Sequence, residues 1–427
     1  MIKNHDFYKS SGVAWLGDIP EHWTTKKLKY LCEITTGDCD TNMAEPDGEF
    51  DLFVRAQKVL KINKYTHECE AVLTAGDGVG VGKVFHYTTG KFSFHQRVYM
   101  MSNFKLVIGQ YFFYYLSNLF ARVALDGGAK STVDSLRLPT FVNFVFALPN
   151  KKEQIAIVRY LDNETARIDD LISEKQNFIK LLEEKRQALI SHVVTKGLDD
   201  NVKMKDSGVE WIGEVPELWE TKRFRYMFRF GRGLSITKEN LKDSGIKVVN
   251  YGEIHSKFNF ELDTTRDELK FVDESYLDSS PECIIGKGDF VFADTSEDYD
   301  GSGNFTHLIS DEKIFAGYHT VVCRIVGEND TRFVSYFLDS LAFRSQIRSV
   351  IKGVKVYSIS QRILKNTFLA VPNIEEQREI AQFLDKQTYK LKLLSDETKI
   401  TIKLLKERRS ALISAAVTGK IDIRDEV

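Results

Sequence analysis

The chain has 427 residues, enough for two or three domains at about 100–200 residues each. It is 43% apolar, 12% aromatic and 28% charged with only 7 prolines, which excludes collagen-like, low-complexity and disordered classes. The 59 basic against 61 acidic side chains give a net charge of −2, which argues against binding nucleic acid by bulk charge. The central regions are no more basic: residues 32–147 carry 11 basic and 12 acidic side chains, and residues 228–370 carry 18 and 21. No apolar run approaches the ~18–20 residues of a membrane span, and the polar start, Met1–Ser10, predicts no secretory signal. Five cysteines (Cys32, Cys39, Cys69, Cys283, Cys323) without a C-x-x-C fit a reducing, cytoplasmic setting and predict neither a disulfide framework nor a zinc knuckle.

The first element is a Trp-containing leading segment, Ser11–Leu31. It recurs without gaps at Ser207–Met227, with 11 identities in 21 positions at an offset of 196. A second repeated stretch begins at Leu148 and again at Val371, at an offset of 223, so the second copy carries 27 extra residues between its anchors. The chain is a duplication. Between the anchors lie two dissimilar regions, with β-type stretches at Asp51–Val54, Val79–His86, Phe92–Met101, Asp289–Ala293 and His319–Val326, and helical ones at Gln110–Leu125 and Arg332–Ile351. Each is expected to be a compact α/β domain. Two weak echoes align them: Ala75–Asp77 with Lys287–Asp289, and Phe94–Val98 with Gly317–Val321.

The repeated C-terminal stretches are predicted helices. Asn150 with Glu153, and Asn373 with Glu376, read as an N-cap with a carboxylate three residues on. No Gly or Pro follows from Glu153 to His192 or from Glu376 to Val417, and Gly197 and Gly419 supply stops. A 3-4 spaced stripe runs Ile168, Ile172, Lys175, Ile179, Leu182, Arg186, Leu189, Val193, with an imperfect counterpart from Leu391 to Ala416. The expectation is an antiparallel coiled-coil pair with a variable domain at each end; two separately buried amphipathic helices are the alternative.

The segments Trp15–Trp23 and Trp211–Trp219 (WLGDIPEHW and WIGEVPELW), with the P-N-x-x-E-Q-x-x-I…L-D stretches at 149–162 and 372–385, resemble type I restriction–modification specificity subunits over essentially the whole chain, twice. The resemblance implies a mixed α+β fold: two α/β target-recognition domains joined by two long antiparallel helices, a pseudo-two-fold duplication. It implies boundaries at 1–148, 149–199, 200–371 and 372–427. It also implies a non-catalytic subunit that reads a bipartite double-stranded DNA site, one half per domain. Two methyltransferase subunits and, in the full complex, restriction subunits would be its partners. S-adenosylmethionine, magnesium and ATP are expected only on those partners, and no cofactor or metal on this chain. Leu218 stands where the first copy has His22, so no shared role for that histidine is implied.

Missing motifs agree with that reading. There is no Pro-Pro pair for an amino-methyltransferase loop. The glycine-rich Gly76–Val84 has the wrong spacing for a P-loop and reads as a tight hairpin or a strand bend. Asp263 with Glu268-Leu269-Lys270 is a chance approach to a nuclease motif, and the nine histidines read as scattered polar or core residues. The four tryptophans recur in both halves and are expected to pin the leading segments rather than to stack on bases. Lys26, Lys27 and Lys29, matched by Lys222, Arg223 and Arg225, suit either phosphate contact or a solvated strand face.

Base-reading donors are sought in polar loops of the variable domains. In the first they are Arg55, Lys83, Arg97, Lys130, Ser131 and Thr132; in the second, Tyr251, Lys287, His319, Lys355 and Tyr357. A Gly-x-Lys echo singles out Lys130 and Lys355. The competing functional classes are a coiled-coil adaptor with two protein-binding domains and, against the missing motifs, a self-sufficient nuclease.

Overall fold

The structure is a computed structural model that describes residues 4–124, 136, 138–353 and 356–424. Contacts divide the chain into two compact units, Met1–Gln176 with Lys399–Val427, and Asn177–Thr398. No helix among the described residues is long and apolar enough to cross a membrane.

Unit 1 begins with the strands β1 (Tyr8–Ser10), β2 (Asp18–Pro20) and β3 (Thr24–Lys27). Then come β4 (Glu33–Thr36), β5 (Phe50–Phe53), β6 (Leu60–Ile62), β7 (His67–Glu68), β8 (Ala71–Ala75), β9 (Phe85–Thr88), β10 (Lys91–Phe94) and β11 (Val98–Ser102). The helices α1 (Gly109–Ala124) and α2 (Leu138–Val142) lead to β12 (Val145–Leu148) and the long α3 (Lys151–Lys196). One sheet has the order β6-β5-β10-β7 with a parallel β5–β10 pair; the other, antiparallel, has the order β4-β11-β8-β9.

After α3 the same plan returns. The leading strands are β13 (Met204–Asp206), β14 (Glu214–Pro216) and β15 (Glu220–Arg223), followed by α4 (Phe224–Met227), β16 (Phe228–Arg232), β17 (Ile246–Val249) and α5 (Tyr251–Ser256). Next come β18 (Lys270–Val272), α6 (Tyr276–Ser279), β19 (Ile284–Ile285), β20 (Phe290–Ala293), β21 (Thr295–Ser296), β22 (Phe305–His307), β23 (Ile314–Ala316) and β24 (Thr320–Ile325). The unit closes with α7 (Thr331–Asp339), α8 (Leu341–Arg348), β25 (Tyr357–Ser358), α9 (Gln361–Lys365), β26 (Phe368–Val371) and the start of α10 (Ile374–Val417). Its sheets, β18-β17-β23-β19 with a parallel β17–β23 pair and antiparallel β16-β24-β20-β22, repeat those of unit 1. Unit 2 also has the small pair β21–β25.

Each unit buries one end of both long helices. In unit 1, Ile157, Val158 and Leu161 from the start of α3 share a core with Ile413, Ala416 and Val417 from the end of α10. In unit 2, Ile190, Val193 and Val194 from the end of α3 meet Ile380, Ala381 and Leu384 from the start of α10. The two helices therefore run in opposite senses through each unit. The stripe is buried at Ile168, Ile172, Leu182 and Val193, while its Arg186 turns to Asp339 at 2.9 Å. The caps form as the sequence dictates: Asn150 Oδ1 accepts from the Glu153 N–H at 3.0 Å, and Asn373 Oδ1 from the Glu376 N–H at 2.9 Å. Gly197 and Gly419 end the helices with positive φ of 81° and 70°.

Several local expectations change. Of Val79–His86 only Phe85 and His86 are strand, the start of β9; the rest is a 3-10 turn and loop that connects the paired β8 and β9. Phe92–Met101 is two strands, because His95–Arg97 turn the chain from one sheet to the other. Arg332–Ile351 is two helices: Ser340 is extended and its hydroxyl caps α8 by accepting from the Phe343 N–H.

The echoes are corrected by strand register. Phe53 and Val249 take the same place, an offset of 196; Ala75 and Ala293 are offset by 218, and Phe94 and Ala316 by 222. Lys287–Asp289 precedes β20, whereas Ala75–Asp77 closes and follows β8, so those triplets are not equivalent. The second echo is displaced by one residue, and Arg97 corresponds to His319. Twenty-two of the 27 extra residues lie between β17 and β20, where α5 and α6 are found.

Candidate nucleic-acid interface

The repeated motifs form the frame that holds each variable domain. Trp23 is fully buried, and its Nε1–H donates to Glu153 Oε1 at 3.0 Å; Trp219 donates to Glu376 Oε1 at the same distance. The next residue closes the joint. Gln154 accepts from the Ile108 N–H and donates to the carbonyls of Leu106 and Pro149. Gln377 accepts from the Asp330 N–H and donates to the Pro372 carbonyl. The E-Q pair is therefore a structural clamp, with the Glu on the leading segment and the Gln on the loop before α1 in unit 1 and α7 in unit 2. Trp23 and Trp219 act as the expected pins, whereas Trp15 and Trp211 stay 37% and 45% exposed, Trp15 stacking on Phe144.

On this frame three loops converge at one edge of each domain: the turns after β5 and β17, after β8 and β20, and before β11 and β24. The backbone bonds correspond. The Gly76 N–H donates to the Arg97 carbonyl at 2.9 Å, and the Asp294 N–H donates to the His319 carbonyl at 3.0 Å. The Leu136 N–H donates to the Gly76 carbonyl and the Ile359 N–H to the Asp294 carbonyl, so Leu136 and Ile359 reach the same edge.

The side chains at this edge differ. In unit 1, Arg55 and Arg97 both bind Asp77, at 2.7 and 3.1 Å. Burial pushes the Asp77 carboxyl up, but hydrogen bonds and charge from the two guanidiniums outweigh it and hold the group below the usual carboxylate range. Two arginines share one carboxylate, which leaves an excess positive charge at the rim. In unit 2 the equivalent positions are Tyr251 and His319. Their rings meet edge-on with centroids 5.3 Å apart, and His319 Nδ1 lies 3.2 Å from Asp294 Oδ1. His319 has φ 55°, an uncommon conformation for a non-glycine residue, held here by the backbone bond to Asp294. Tyr357 on β25 joins the same edge through its pairing with Ser296 and packs against Tyr299.

The other candidates are placed differently. Lys287 precedes β20, at the opposite end of that strand from Asp294, and is paired with Asp311 at 3.0 Å. Lys83 is exposed and lines a depression of about 530 Å³ with Gln57, Asp169 and Arg409. Lys130, Ser131, Thr132 and Lys355 lie outside the described residues. Sequence reasoning missed Asp77 and Asp294 as organisers of the edge; an acidic residue just after a buried strand was the available signal. It also took His5 and His22 as scattered, whereas the fold sets both beside Glu153.

Comparison with known proteins fits this plan. The family described as "Type I restriction modification DNA specificity domain" matches twice, at residues 20–181 and 216–404. The chain belongs to this family, and its role is that of a DNA sequence-specificity subunit. It is 24% identical over 386 residues to the type I restriction enzyme MjaVIII specificity subunit of Methanocaldococcus jannaschii, covering 89% of this chain and 84% of that protein. It is 30% identical over 175 residues to the EcoDI specificity subunit of Escherichia coli, a match spanning 41% of this chain and 38% of that protein. A solved structure titled for complex assembly and conformational transition of the type I R-M system superposes with a TM-score of 0.69 at 14% identity, over 93% of this chain and 98% of that chain, a likeness of fold.

Proposed function

We propose that each unit reads one half of a two-part DNA site through the edge described above. Arg55 and Arg97 act in the first unit with Lys130, Ser131 and Thr132; Tyr251, His319 and Tyr357 act in the second with Lys355. The observation that carries this reading is the contrast within the duplication. Trp, Glu and Gln of the frame are the same twice and make the same bonds, while the residues at one corresponding edge differ in charge and shape. A frame repeated unchanged suits identical partners met twice; we assign that role to two methyltransferase subunits docking along α3 and α10, with restriction subunits joining in the full complex. Edges that diverge suit two unlike half-sites, since arginine donors and a Tyr–His pair cannot match the same base edges.

In this reading the chain contributes binding and spacing and performs no chemistry. S-adenosylmethionine, magnesium and ATP belong to the partners. The near-neutral charge fits a reader whose affinity is completed by those partners rather than supplied by one basic face.

The test exchanges residues 228–370 for the corresponding domain of another family member, co-expresses the hybrid with its methyltransferase, and maps modified bases genome-wide. One half of the recognised sequence is expected to change while the other half and the spacing stay. A change in both halves, or in neither, overturns the assignment. Methylation or cleavage by the purified chain alone would overturn the non-catalytic role.

A further inference from the structure

We propose that unit 1 binds a divalent transition-metal ion of the zinc class between His5, His22 and Glu153. The three ligand atoms lie within 4.8 Å of one another. His22 Nε2 is 3.0 Å from Glu153 Oε2, close to the spacing of about 3.3 Å that bonds of 2.0–2.1 Å impose between ligands of a tetrahedral ion. Two imidazoles and one carboxylate are a donor set that suits such ions and leaves a fourth position open.

Three further observations point to a ligand rather than to packing. First, His5 is only 6% exposed, yet its Nδ1 is buried without a hydrogen-bond partner. That nitrogen lies 3.6 Å from Asp422 Oδ2, too long for a hydrogen bond, while the Asp422 carboxylate accepts from Arg424 instead. Second, Glu153 is already oriented. Its Oε1 is fixed by the Trp23 indole N–H, which leaves Oε2 directed at the histidines.

Third, the duplication supplies an internal control. Register between the leading strands puts Asn201 and Leu218 where unit 1 has His5 and His22. Unit 2 keeps the Trp219–Glu376 bond, and Leu218 is 94% exposed. The frame therefore forms without either histidine, and the pair is an addition confined to unit 1. An ion there would tie the N-terminal segment, through His5, to the start of α3.

The experiment uses the full chain, free of any affinity tag and stripped with chelator. Titration with Zn²⁺ by calorimetry and with Co²⁺ by visible absorption is expected to give one site per chain, with the ligand-field bands of a nitrogen–oxygen tetrahedral site. H22L and H5N, each copying the other half of the chain, are expected to fold normally in the absence of metal. Each is expected to weaken Zn²⁺ binding by about tenfold or more. Absence of uptake by the unsubstituted chain overturns the proposal. So does binding that both H22L and H5N retain, because it would locate the ion elsewhere.

Discussion

Asp339 offers a sharp test of how the second domain is fastened to the helix that carries it. Its side chain is 5% exposed, and the carboxylate accepts from two arginines, Arg344 at 3.1 Å and Arg186 of α3 at 2.9 Å. The two arginines differ. Arg344 is 6% exposed, and besides Asp339 it reaches Asn304 Oδ1 at 2.8 Å; Arg186 has a side chain 23% exposed and can turn to water. In D339A the cost therefore falls mainly on Arg344, left as a buried charge with a single neutral acceptor. Removing one partner of such a pair costs about 3–5 kcal/mol, more than the loss of either hydrogen bond alone. For a unit of this size that corresponds to a melting point lowered by roughly 6–20 °C. The assay is thermal and urea unfolding of the full chain. Trp219, buried in this unit, reports its transition, while Trp23 reports the other unit. In D339L/R344M neither a buried charge nor its partner remains, and stability is expected to recover most of the loss. A shift below about 1 kcal/mol in D339A, or a double variant no better than the single one, would refute the argument that an orphaned charge is what matters.

Burial holds the Glu376 carboxyl above its ordinary value of 4.5, with the Trp219 bond only partly opposing it. The group's favourable contribution is thus complete below that ordinary value and is lost as pH rises through the higher folded value; E376Q is expected to flatten the stability of unit 2 between acid and neutral pH, measured by urea titration at several pH values. A Cβ on Gly37 would stand 2.1 Å from the Phe94 carbonyl oxygen, and one on Gly233 1.9 Å from that of Gly317. G37A and G233A should each destabilise their own unit by about 1–3 kcal/mol or more, read from the two tryptophan transitions. R97A in the assembled complex is expected to weaken DNA binding by about 1–3 kcal/mol if the guanidinium reads a base. If it meets a phosphate, the salt slope should instead fall by about one charge for all sequences alike. H319A should affect only the other half-site; unchanged binding in both variants would remove this edge from the interface.

Much of the scaffold could be read from the chain alone because it is written in local chemistry. Asn150 and Asn373 precede Glu at the cap spacing, the runs to His192 and Val417 contain no helix breaker, and Gly197 and Gly419 stand where a positive φ is needed. The offsets of 196 and 223 exposed the duplication without coordinates. Other features required contacts between residues far apart in the chain. That the Glu153 carboxylate grips Trp23 depends on a bond across 130 positions. That Arg97 and His319 share one place depends on strand register, which a one-residue error in a weak echo reversed. The split at Ser340 was hidden because its flanks have the composition of a single helix; at the break Ser340 Oγ accepts from the Phe343 N–H and Ser191 Oγ of α3 accepts from the Leu341 N–H. His5 and His22 looked unrelated at a separation of 17 positions until the leading strands set them beside one carboxylate. Local propensity and spacing thus determined the two long helices and the duplication that repeats them. Tertiary packing decided which side chains meet, because those pairings gain their energy from burial and register that no short stretch of sequence contains.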